Sequence, residues 1–102
     1  MRDREMRPRG LAEILDGYLR KAGLKRRLAQ THAVEVWADV VGPQAARMTE
    51  AEGVTADGVL RVRVSTGAWL QELQLQSPQI LRKLAERGTP VNRILWRLGE
   101  RS

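Results

Sequence analysis

Apolar side chains at Leu11, Ile14, Leu15, Tyr18, Leu19 and Ala22 recur at i, i+3, i+4, i+7, i+8 and i+11, the spacing that lines one face of an α-helix. Gly23 supplies a C-terminal stop for that helix. A second helix is expected over about 25–41, with Leu28, Val34, Trp37 and Val41 turned inward, although the dense cations of 24–30 next to Gly23 allow helix or loop there. Gly42-Pro43 ends it, because proline disfavours a helical residue before it. The two helices are expected to lie side by side.

Between Met48 and Ser65 the period changes to two around Ala56-Asp57-Gly58-Val59, and Asp-Gly between alternating runs signals a β-hairpin. A two-residue turn at Asp57-Gly58 would set Glu52 opposite Arg63, Val54 opposite Arg61 and Ala51 opposite Val64. Leu60, Val62 and Val64 would then share the buried face with Ala51, Gly53 and Thr55, while Arg61 and Arg63 face outward beside Glu50 and Glu52. Ser65 or Thr66 can cap a following helix that turns Trp69, Leu70 and Leu73 inward. Ser77 reads as a new N-cap and Pro78 as a first helical residue, so this helix is broken in two, its second part carrying Ile80, Leu81, Leu84 and Ala85 to Gly88. After Thr89-Pro90, Ile94, Trp96 and Leu98 alternate with Arg93, Leu95 and Arg97 as a last strand. The fold class is α+β, in the order α-α-β-β-α(broken)-β, with a three-stranded antiparallel or mixed sheet and helices on one face.

Composition narrows the function more than the fold. The 102 residues suffice for one hydrophobic core, so 10–102 is expected to be a single domain preceded by a flexible basic arm at 1–9. No run approaches the roughly 20 apolar residues of a membrane span, and the first ten residues hold no secretory-type apolar stretch, so the default location is the cytoplasm. With no cysteine, and His32 as the one imidazole, thiolate metal sites, disulfides and cysteine nucleophiles are excluded. His32 has no serine or second histidine close in sequence and reads as structural or superficial. Carboxylates stand singly among arginines, and neither a Walker-type loop nor a G-x-x-G is present. No catalytic residue, cofactor, metal or small-molecule substrate is assigned.

The net charge of +6 points to a polyanion, and its distribution is uneven. Residues 1–30 hold nine cations (Arg2, Arg4, Arg7, Arg9, Arg20, Lys21, Lys25, Arg26, Arg27) and four acids, hence +5 of the +6. Charge runs are more often solvated faces than sites. Here the excess over local acids favours phosphate contact, with Arg20 to Arg27 grouped at the expected helix–helix junction. Arg61 and Arg63, with Arg93 and Arg97 if the strands are neighbours, form a second candidate surface, neutralised in part by Glu50 and Glu52. Of the three tryptophans, at least two should be core, and Trp69, near the start of its helix, is the candidate for partner contact.

The strings Val36-Trp-Ala-Asp-Val-Val-Gly-Pro43, Asp57-Gly-Val-Leu-Arg-Val-Arg-Val-Ser65 and Ala68-Trp-Leu-Gln-Glu-Leu73 occur in an order and spacing that resemble the DciA family of bacterial replicative-helicase loaders, over about residues 10–99. The resemblance implies a fold similar to the type II KH domain and a non-enzymatic role in binding the hexameric replicative helicase and promoting its placement on single-stranded or forked DNA. Two departures bear on mechanism. Without G-x-x-G the backbone clamp of KH modules cannot be carried over, so DNA contact must come from arginine and lysine side chains. The sequence also stops at Ser102, where many members have further basic or disordered segments, which leaves that task to the N-terminal arm. The alternative reading is a KH-like RNA- or ribosome-binding module with no helicase partner.

Overall fold

A computed structural model describes residues 9–89 and 91–100. Its first element, helix α1 (Arg9–Val41), runs unbroken for 33 residues, about 50 Å at 1.5 Å per residue. Gly23 is therefore not a stop, and the two expected helices are halves of one rod rather than neighbours. The reason lies in phase. Leu11, Leu15, Tyr18, Ala22, Ala29, Ala33, Val36 and Val40 are offset by 0, 4, 7, 11, 18, 22, 25 and 29 residues, all close to multiples of 3.6, so one stripe passes straight through Gly23. A glycine inside a helix costs only about 1 kcal/mol, too little to break a pattern that stays in register.

Only the second half of α1 finds a sheet to cover. Ala33, Val36, Trp37 and Val40 are buried, whereas Leu11, Ile14, Leu15, Tyr18 and Leu19 are exposed. Gly42, at φ +92°, breaks the helix, and Pro43 opens a single-turn helix α2 (Pro43–Arg47), unforeseen in the sequence, whose Ala45 enters the core. The Trp37 indole N–H donates to Thr49 Oγ1 at 2.9 Å, and Thr49 donates in turn to the Ala45 carbonyl at 2.8 Å, tying α1, α2 and the sheet together inside the core.

Strands β1 (Thr49–Val54), β2 (Val59–Val64) and β3 (Arg93–Leu98) form a mixed sheet in that order, β1 antiparallel and β3 parallel to β2. The hairpin register differs from the expected one. Gly58 N–H donates to Thr55 O and Thr55 N–H to Val59 O, a three-residue loop with Gly58 left-handed at φ +82°, not a two-residue turn. Glu52 is then the extra residue of a β-bulge: Val54 faces Leu60 and Gly53 faces Arg61, but Ala51 faces Val62, Glu50 faces Arg63 and Thr49 faces Val64. Gly53, at φ +150°, supplies the backbone the bulge needs. With the bulge, Gly53 leaves the expected buried face and Thr49 and Val54 join it beside Ala51; Thr55 belongs to the turn.

Thr66 caps helix α3 (Gly67–Leu75), its hydroxyl accepting from Trp69 N–H at 3.2 Å. The break comes at Gln76, which precedes helix α4 (Ser77–Glu86), so the cap lies one residue before the expected Ser77. Leu73, Ile80 and Leu84 meet Leu60, Val62 and Val64 with the buried half of α1, which places all helices on one face of the sheet. The result is α+β with a three-stranded mixed sheet, consistent with the expected type II KH-like arrangement.

Candidate nucleic-acid and partner interface

The uncovered face of the sheet takes its side chains from alternation along the strands. Arg61 sits between Gly53 and Leu95, Arg63 between Glu50 and Arg97, and Arg93 beside Val59. Arg61, Arg93, Leu95 and Arg97 are exposed, so the arginine row expected from the sequence exists because β2 and β3 are neighbours. Its members are not equivalent. Arg63 pairs with the Glu52 carboxylate and its Nη1 donates to the Glu100 carbonyl at 3.3 Å, while Gly99 packs against its methylenes, where an added Cβ would stand 3.3 Å from Cδ. Arg63 thus bridges the bulge of β1 and the chain leaving β3. Arg61 and Arg97 line the shallow hollow beside it, together with Gly53 and Val54.

The second basic cluster is a segment of rod and not a junction between helices. Arg20, Lys21, Lys25, Arg26 and Arg27 all lie on α1. At 100° per residue, Arg20 and Arg27 share one side, Lys21 and Lys25 a second, and Arg26 a third, so the cations ring the helix over about 10 Å of its length. Arg9 is the first residue of α1, which places it in the helix and not in the expected arm. Arg2, Arg4 and Arg7 lie outside the described residues.

Trp69 is half-buried: it packs against the core and also lines surface hollows with Pro43 and Gln76 on one side and Ala68 and Glu72 on the other. Trp37 and Trp96 are the core pair, ring centroids 5.9 Å apart, with the Trp96 indole N–H donating to Ser77 Oγ at 2.9 Å. His32 is exposed, 3.9 Å from Glu35. Among the described residues no three His, Cys, Asp or Glu side chains gather as a metal site, and no helix is long and apolar enough to cross a membrane. Sequence reasoning missed the first apolar stripe as a surface. Its in-phase continuation through Ala29 and Ala33 was the available signal, since one straight helix cannot fold back to cover itself.

These observations define an α+β module whose candidate chemistry lies on surfaces: an open arginine-bearing sheet face and a projecting amphipathic, cationic helix. The family model described as "Dna[CI] antecedent, DciA" matches residues 10–95, and the chain belongs to that family. No curated protein matches the chain at a significant level. Membership implies a role in helicase loading in DNA replication, with the replicative helicase as the interacting protein; the family is one of adaptors and is not known for catalysis.

Proposed function

We propose that this chain is a non-enzymatic adaptor that binds the hexameric replicative helicase and assists its loading on single-stranded DNA, holding the strand by phosphate contacts from Arg61 and Arg97 on the sheet and from Arg20, Lys21, Lys25, Arg26 and Arg27 on α1. The observation that carries the DNA part is the arginine row on the uncovered sheet face. Arg61 and Arg97 stand on neighbouring strands two residues out of register, about 8 Å apart for strands about 4.8 Å apart and outward residues about 6.8 Å apart along each, a separation that an extended single strand can bridge between phosphates. None of the three tryptophans lies on that face, so base stacking has no aromatic platform there and recognition is electrostatic and indifferent to sequence. The adaptor consumes no nucleotide. It acts by binding one ring conformation, open or DNA-bound, more tightly than the other.

The test is direct binding of the purified chain to the hexameric replicative helicase of the same organism, with and without single-stranded DNA. Specific binding with longer helicase retention on DNA is expected. No binding at low salt, together with preference for structured RNA over single-stranded DNA, would replace this reading with the KH-like RNA-binding one.

A further inference from the structure

The first half of α1 leaves apolar surface uncovered on a scale the rest of the fold does not. Leu11, Leu15, Tyr18 and Leu19 are 45, 45, 68 and 64% exposed, and all lie along the stripe that the core uses further on, at Ala33, Val36 and Val40. A helix that projects without tertiary contact is only marginally stable in water, since packing of the apolar face supplies most helical stability. Leu11, Leu15, Tyr18 and Ala22 are spaced 4, 3 and 4 residues apart, the a/d spacing by which one helix packs along another. Flanking positions set the choice of partner in such pairs, and here Lys21 and Arg26 hold them, within a stretch from Gly17 to Leu28 that contains five cations and no acid.

We infer that this stripe is the docking surface for an acidic amphipathic helix of a partner protein, which on the adaptor reading, on which this inference rests, belongs to the replicative helicase. The partner helix lays apolar residues on Leu11, Leu15 and Tyr18 and sets Asp or Glu against Lys21, Lys25 and Arg26. A second copy of this chain fits less well: a parallel pairing brings five cations of each arm near five of the other, and an antiparallel one offers those five only Glu13 and Asp16. In the complex the stripe with Lys21, Lys25 and Arg26 meets protein, and Arg20 and Arg27, on the opposite side of the helix, stay open to phosphate; without the helicase all five cations can meet the strand.

The variant Leu15→Ala/Tyr18→Ala keeps helix propensity and touches no buried residue, so its melting temperature and single-stranded DNA affinity should equal the parent's. Its affinity for the hexameric helicase should fall at least tenfold by biolayer interferometry, and the parent's helicase affinity should weaken with added salt. If the parent binds the helicase and the variant binds equally, the inference is overturned and the adaptor reading stands. If the parent does not bind, both fall. Loss of self-association in the ultracentrifuge, with helicase binding intact, would assign the stripe to a second copy and overturn the inference as well.

Discussion

Thr49 shows how one side chain decides whether two elements can share a core. It is 2% exposed, and its hydroxyl accepts from Trp37 and donates to Ala45, so no buried polar atom in the relay lacks a partner. Thr49→Val keeps the shape and removes the acceptor. The buried indole N–H is then left unsatisfied, at about 1–3 kcal/mol, read as a lower urea midpoint with unchanged slope. An unaltered midpoint would mean that Trp37 finds another acceptor. Position in the sequence predicts Trp37 as core but cannot supply this pairing, which depends on α2 turning the chain through one helical turn. Arg63 carries the same lesson at the surface. Its outward direction and its nearness to Glu52 were legible from the hairpin, although Glu52 reaches it from the bulge and not from the paired position, whereas its bond to the Glu100 carbonyl depends on where β3 ends.

At the scale of the element, Gly23 separates two pictures of the N-terminal third. In a continuous helix it has helical backbone, and a Cβ added there meets nothing within 4 Å. Gly23→Ala should therefore strengthen the projecting helix by about 1 kcal/mol, seen as increased far-ultraviolet helicity and slower amide exchange over 18–28. Were Gly23 the left-handed stop its position suggests, the same change would destabilise the protein. Local patterns were the legible part: the hairpin around Asp57-Gly58, the split near Ser77-Pro78, and the alternation of β3 all follow from periods of two or 3.6 within a few residues. What escaped them depends on partners distant in sequence. An amphipathic stripe says that something covers it, and the second half of α1 was the nearest apolar object, but only the length of the rod against the width of the sheet shows that the stripe overhangs. The hairpin register failed for a comparable reason, since a three-residue loop and a bulged Glu52 leave the same alternation in β2 as a two-residue turn does.

The described residues span 62 × 24 × 23 Å with a radius of gyration of 18.7 Å, against about 13 Å expected for a compact chain of this size. The excess is the projecting half of α1, which carries Arg20 and Lys21 away from the sheet, while Arg27 lines a hollow with Glu52, Gly53 and Val54, the residues that also line the hollow of Arg61 and Arg97. A phosphate met on either surface releases counterions alike, so the contributions of rod and sheet to the salt dependence of single-stranded DNA binding should add, at about 0.7 in the log–log slope for each phosphate the protein neutralises. Arg61→Ala/Arg97→Ala should lower the slope by about 1.4 if each arginine meets one phosphate, and should leave the fold intact because both side chains are exposed. Arg63→Ala should change the slope less, because its guanidinium already has a carboxylate partner. A titration of affinity against salt for these variants, compared with Lys25→Ala/Arg26→Ala on the rod, apportions the strand between the surfaces. A slope that falls only for the rod variant would assign DNA to the helix alone, and the sheet arginines would then be a solvated face.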